Sequence, residues 1–222
     1  MQALLNGFLS RPGGKKLLLL RHGEVQAGGP EKRFIGQSDP PLSETGRRQA
    51  RNWADRFQEL PMDRIVSSDL DRCLQTARII AAGGPPTVTP MPALREIHLG
   101  RWEKMTFAQV ESRWPDAFMQ RGRDLEKFRP PDGESFADLR QRVIPVFHQL
   151  ADHPARSTLV VGHAGVIRVI LCHLLGMPPA NLFRLAQDHG ALNLIEGRND
   201  GFRVHAVNLP PAPWAGDRCA DG

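Results

Sequence analysis

The sequence predicts a three-layer α/β/α fold: a mainly parallel central sheet with helices on both faces, plus a small helical lid-like insertion. Three observations predict it. The short apolar runs "KLLLLR" (16–21), "DRIVSSD" (63–69) and "TLVVGH" (158–163) have the length and composition of buried strands. Each is followed downstream by a stretch of helical periodicity, the alternation that builds parallel βαβ units. Polar clusters sit immediately after these runs, where open α/β sheets collect their ligands.

Taken in order, residues 1–15 close on "RPGG", a turn signal, and are expected as a flexible arm or linker. The folded domain is expected over 16–209, with the lid-like insertion at about 98–133 and a Pro/Gly-rich tail over 210–222. After the first strand, Ser43 is placed to N-cap a helix carrying Ala50, Trp53, Phe57 and Leu60 on one face. "LDRCLQTARIIAA" gives the next helix and "TVTPMPAL" a short extended segment. The polar, Trp-containing stretch 101–133 gives short helices and loops. "ESFADLRQRVIPVFHQL" aligns Phe136, Leu139, Val143, Phe147 and Leu150, although an interior Pro145 costs ~3 kcal/mol or kinks the helix. "AGVIRVILCHLLG" is an apolar helix, and "ALNLIEGRNDGFRVHAVN" alternates around Asn199-Asp200-Gly201 as a closing hairpin.

Composition narrows the function. A chain of 222 residues, 41% hydrophobic and 24% charged, suits one α/β domain with a sizeable core. The net charge of +5, with arginine prominent, suits a small anionic substrate recognised through planar forks. Nucleic acid is disfavoured, because no block of five or six like charges occurs and the chain has no Tyr for base stacking. Cys73, Cys172 and Cys219 are scattered and form no CxxC, which points to a reducing compartment. No apolar run approaches the ~18 residues of a bilayer span, and no basic segment precedes an apolar core at the N-terminus. A cytoplasmic protein without membrane contact is expected, as a monomer or homodimer. His148, His153, His173, His189 and His205 lack ligand spacing, so neither a metal nor a cofactor is expected.

Four clusters converge on one edge if the sheet is parallel: Arg21-His22-Gly23-Glu24, Ser67-Ser68-Asp69 with Arg72 one turn on, Arg95-Glu96, and Gly162-His163-Ala164-Gly165. Their types fit phosphoryl transfer. A neutral imidazole at His22 is a nucleophile near neutral pH. Arg21 and Arg72 supply charge-assisted forks to phosphoryl oxygens. His163 opens a helix, where its own donors and backbone N–H groups face an anion, and Glu96 is placed to shuttle a proton. Asp69 and Asp71 read as cap and first-turn carboxylates, and Arg168 as a helix-face charge.

The blocks "LLLLRHGEV", "FIGQSDPPLSETGRRQA", "VSSDLDRCLQTA", "LREIHLGRWEKMT", "DGESFADLRQRV" and "VVGHAGVIRV" together resemble the histidine phosphatase (phosphoglycerate mutase-like) superfamily over roughly 17–195. Six ordered blocks make a specific signal where a lone RHG would not. The resemblance implies His22 as nucleophile, Arg21, Arg72 and His163 around the phosphate, Glu96 as acid/base and no metal. Gly36, Gln37, Ala164 and His98 join as substrate contacts. One position departs from the pattern: Gly28 stands where family members often carry a phosphate-contacting Asn. Cofactor-dependent mutases carry a longer insertion with a Tyr and basic residues, which this chain lacks. It is most similar to the α-ribazole phosphatase-like branch, which implies metal-independent hydrolysis of a small phosphomonoester, with α-ribazole 5′-phosphate a candidate. A mutase, or a non-catalytic phospho-ligand binding module, is the alternative. Substrate selection is expected from the lid-like stretch, with His98, Arg101, Trp102, Arg113 and Trp114 as candidates.

Overall fold

A computed structural model describes residues 1–26, 28–29, 31–60, 62–82 and 84–211; Cys219 and most of the expected tail lie outside this range. Strands β1 (Lys15–Arg21), β2 (Arg64–Ser67), β3 (Val88–Pro90), β4 (Ser157–Gly162), β5 (Leu192–Arg198) and β6 (Gly201–Leu209) form one sheet in the order β3-β2-β4-β1-β5-β6. The four from β3 to β1 are parallel, whereas β5 and β6 add antiparallel. The leucines of β1 explain their own abundance. Leu17 and Leu19 enter the core on one face, Leu18 and Leu20 the core on the other, and all four are buried. A strand with period-two side chains can do this only if every position is apolar.

On the Leu18/Leu20 face pack helices α1 (Gln2–Leu9), α2 (Glu44–Gln58) and α3 (Asp71–Ala81), contributing Leu5, Phe8, Trp53, Phe57, Ala77 and Ile80. The opposite face carries α6 (Phe136–Asp152) and α7 (Ala164–Leu174), with α4 (Phe107–Arg113) and α5 (Pro115–Arg123) at the sheet's carboxyl edge. The three-layer architecture is the one the periodicity predicts. Ser43 caps α2, its hydroxyl accepting from the Gly46 amide at 3.0 Å. Capping boxes close the starts of α4 (Thr106/Gln109) and α6 (Ser135/Asp138).

Two local expectations are corrected. Residues 1–15 are not a bare arm: α1 forms there and buries Leu5 and Phe8 against the sheet, an amphipathic signal that the "RPGG" turn obscures. And α6 runs through Pro145 as one helix, because that residue lies on the exposed face, where a carbonyl deprived of its partner stays accessible to water. The hairpin falls as expected, with Arg198 opposite Gly201. Among the described residues, no helix is long and apolar enough to cross a membrane.

Register aligns the strand ends. Arg21 pairs with Gly162 and Ser67 with Val161, so β1, β2 and β4 finish at one level of one edge. The residues just past each strand are therefore delivered to the same place.

Candidate active site

His22 is the first residue past β1 and is pinned on both sides. Its amide donates to the Gly162 carbonyl at 2.9 Å, and its carbonyl accepts from the Gly190 amide at 3.0 Å. Gly23 then passes so close to the Gly46 backbone that a Cβ there would collide with it, which lets the loop lie against the start of α2. The His22 ring sits with Nδ1 2.7 Å from the Gly23 carbonyl. A carbonyl only accepts, so Nδ1 carries the proton and Nε2 the lone pair. Arg72 donates from Nε to that Nε2 at 3.3 Å, in keeping with this tautomer. Burial, reinforced by His163, Arg72, Arg21 and His189, holds the imidazole well below its usual 6.5 and therefore neutral.

Arg72 enters from α3, 1% exposed, and its guanidinium is fully engaged. Nη1 donates to the Ser38 carbonyl (2.8 Å) and Asp39 (3.1 Å), while Nη2 donates to the Gly36 carbonyl at 2.6 Å. Nη2 also lies 3.1 Å from Nδ1 of His163. Since a guanidinium only donates, His163 accepts at Nδ1 and gives its Nε2–H to the Ser68 hydroxyl at 2.9 Å. His163 is fully buried and stands behind Arg72, holding it, and does not present a donor to the open cavity. Burial and then Arg72 keep this ring, too, well below 6.5.

Arg21 donates to the Gln187 carbonyl at 2.6 Å and to Nε2 of His189 at 2.7 Å, while its buried Nε has no partner. Burial lowers its guanidinium to about 10, which leaves it charged at neutral pH. Glu96 lies opposite, 8% exposed. One carboxylate oxygen accepts from the Ile97 amide and the other from the Gly165 amide at the start of α7, both at 2.9 Å. Gly165 has to be a glycine here, since a Cβ would run into the Glu96 carboxylate.

These groups border a cavity of about 740 Å³. Arg21, His22, Arg72, Glu96, Ala164 and His189 line its floor, and Phe34, Phe107, Leu125 and Phe128 its walls. Gly36 and Gln37 serve from behind: the first gives its carbonyl to Arg72, and the second donates to the Glu96 carbonyl at 3.1 Å. Gly28 lies in a neighbouring cleft with Arg33 and Asp39, and it is Gly29 that reaches the cavity.

The lid-like stretch contributes differently from the sequence expectation. His98 does not line the cavity; its amide donates to Glu134 at 2.9 Å. Arg101 pairs with Asp132 on the surface, Arg113 stacks on Trp114, and Trp102 is buried in the core beside Phe34 and Phe128. The residues of this stretch that do line the cavity are Leu99, Phe107, Arg121, Leu125, Phe128 and Pro130. Arg168, expected as a helix-face charge, and His189 reach it as well. Asp39 was also invisible in sequence, because its role depends on a loop folding back over α3. Asp69 pairs with Arg95 at 2.6 Å on the outside. No group of three or more His, Cys, Asp or Glu side chains among the described residues is placed to hold a metal ion.

The arrangement therefore offers a neutral imidazole with a fixed tautomer, two arginines beside it and a carboxylate across from it. Residues 17–210 match the family model for the histidine phosphatase superfamily (branch 1). A glucosyl-3-phosphoglycerate phosphatase from Mycolicibacterium vanbaalenii is 34% identical over 75% of this chain and 77% of its own length. A Yersinia enterocolitica protein named probable phosphoglycerate mutase GpmB is 34% identical over 82% of this chain and 84% of its own. Among solved structures, the α-ribazole phosphatase of Shigella flexneri superposes with a TM-score of 0.81 at 26% identity, covering 87% of this chain and 96% of that one.

Proposed function

Because the chain belongs to the histidine phosphatase superfamily, branch 1, we propose that it hydrolyses small phosphomonoesters, without a metal, through a phosphohistidine on His22. The observation that carries this reading is the fixed tautomer: the Gly23 carbonyl occupies Nδ1, so the lone pair on Nε2 is the one that faces the arginine-lined floor. An incoming phosphoryl oxygen takes over the Arg72 Nε–H now shared with Nε2, which frees the lone pair. Nε2 attacks phosphorus, the ester P–O bond breaks, and Glu96, having taken up a proton as the dianionic substrate binds, gives it to the departing alkoxide. In the second half Glu96 takes a proton from water, the water oxygen attacks phosphorus, and the P–N bond breaks with its electrons returning to Nε2. Arg21 and Arg72 hold the equatorial oxygens, where transition-state charge collects. His163 keeps Arg72 aligned, and Ala164 and Gly165 bring the amino end of α7 to the site.

Phosphate release from glycerol phosphate, p-nitrophenyl phosphate and α-ribazole 5′-phosphate, with EDTA present, tests the reading. Turnover that survives the chelator, an acid-labile phosphoenzyme in the native chain and loss of both in His22→Ala are expected. Full activity in His22→Ala, or abolition by EDTA, overturns it. The kinship with a protein named as a mutase motivates one further arm. Interconversion of phosphoglycerates stimulated by a bisphosphoglycerate would assign the same phosphohistidine to transfer between hydroxyls, with hydrolysis the minor outcome.

A further inference from the structure

Of the lid arginines Arg101, Arg113, Arg121, Arg123 and Arg129, Arg121 is the one that lines the cavity. Like Arg113 and Arg123, it has no ion-pair partner among the described residues, whereas Arg101 and Arg129 do. Arg101 pairs with Asp132, Arg129 pairs with Asp138, and Arg113 lies exposed on the Trp114 ring. Arg121 instead sits between two phenyl rings, its guanidinium carbon 5.5 Å from the centre of Phe34 and 5.6 Å from that of Phe183. It makes no hydrogen bond or ion pair with any described residue. Burial alone lowers its ordinary value, with no nearby carboxylate to raise it again.

The cavity's own carboxylates are committed elsewhere. Glu31 lies 3.9 Å from Arg33, Glu134 is held by Arg142 at 2.8 Å, Asp188 accepts from Asn208 at 2.8 Å, and Glu96 is held by two backbone amides. Arg168 also packs against the Phe183 ring, 5.3 Å from its centre. Its Nε donates to the Leu185 carbonyl at 2.9 Å, and no described carboxylate pairs with it. Arg168 interacts electrostatically with Arg21 and Glu96 of the floor, and Arg121 lines the same cavity. A guanidinium held flat by aromatic rings keeps a rigid fork pointed at an oxyanion. Arg121 is half-buried, and an anionic ligand in the cavity would give it the charge-assisted partner that the chain does not supply.

We propose that Arg121, together with Arg168, forms a second oxyanion subsite, so that the preferred ligand is a phosphomonoester bearing a second anionic group, a carboxylate or a further phosphoryl group. This deepens the reading of the floor as a phosphomonoester site and rests on it. Phe34 and Phe183 pack against the guanidinium of this subsite. A substrate with a neutral alcohol part fills the floor and leaves Arg121 unpaired.

Calorimetric binding to the full chain, in a His22→Asn background that prevents turnover, compares 3-phosphoglycerate with glycerol 3-phosphate, which replaces the carboxylate by a neutral alcohol. The expected preference for 3-phosphoglycerate is about tenfold or more, the size of one charge-assisted contact. Arg121→Gln removes that preference, Arg121→Lys retains part of it, and Arg113→Gln, which changes the same net charge outside the cavity, leaves it in place. A ratio near one with the native lid, a ratio unaffected by Arg121→Gln, or equal weakening of both ligands overturns the proposal. Binding of 2,3-bisphosphoglycerate against 3-phosphoglycerate shows which oxyanion the fork prefers. Failure of the native chain to release phosphate from any of the three would sink the hydrolase while leaving this affinity ratio to stand or fall separately.

Discussion

In Gly165→Ala the new methyl group and the Glu96 carboxylate compete for the same space. Glu96 must swing away, giving up amide hydrogen bonds of 2.9 Å from Gly165 and Ile97, each worth about 1.5–3 kcal/mol as a bond to a charged acceptor. Against this, exchanging glycine for alanine in a helix gains up to about 1 kcal/mol, less so near the helix start. The protein stays folded, and the proton carrier leaves its place. General acid–base catalysis contributes about 10²–10⁴-fold, so turnover of glycerol phosphate should fall by about 10²-fold or more. An aryl phosphate behaves differently, because its phenolate departs without being protonated and only the later attack of water needs Glu96. Stopped-flow assay with p-nitrophenyl phosphate should then show a burst of one nitrophenol per protein followed by a slow steady rate. Undiminished turnover of glycerol phosphate in a folded Gly165→Ala protein refutes the assignment of Glu96. So does an equal loss on both substrates with no burst.

Acid should destabilise the fold earlier than its carboxylates predict. His22 and His163 are held well below 6.5 when folded, so between that value and the folded ones only the unfolded chain takes up their protons. Their contribution is complete above about pH 6.5 and is lost as pH falls below it, at about 1.4 kcal/mol per pH unit for each ring. Urea midpoints measured from pH 7.5 to 5 check this, and a flat profile contradicts it. The same depression keeps His22 unprotonated in mild acid, so kcat/KM should not fall through pH 6.5 on account of the nucleophile. Trp53→Ala should cost about 3–5 kcal/mol in urea unfolding, since the ring is fully buried and its N–H donates to the Gly190 carbonyl at 2.7 Å. As Gly190 also ties back to His22, activity should drop well below the unfolding midpoint.

How much sequence could reveal depends on how local each signal is. The strand ends were legible because apolar runs stop abruptly at Arg21, Ser67 and Gly162, and parallel register then brings Arg21, His22, Arg72, Glu96 and His163 into one neighbourhood. The lid was not legible to the same degree. Arg121 lies in a short helix with no buried residue, and what turns it inward is Phe183, more than sixty positions away. His189 sits in coil between a 3₁₀ turn and β5, where no periodicity points to the site. Trp102 reads in sequence equally as packing or as a substrate contact, and only the packing of Phe34 and Phe128 around it decides. Arg168 has helical spacing either way, and its face was set by the Leu185 carbonyl.

One backbone oxygen carries a consequence beyond placing the nucleophile. An imidazole has two nitrogens of similar reactivity, and their phosphorylated forms are distinct positional isomers, separable by ³¹P chemical shift and by isomer-selective antibodies. With Nδ1 committed to the Gly23 carbonyl at 2.7 Å, the modified ring formed at His22 should be the Nε2 isomer alone. The regiochemistry of a transient intermediate is thus written into a loop by the carbonyl of the residue next to it, and it can be recovered from a quenched digest without knowing which alcohol left.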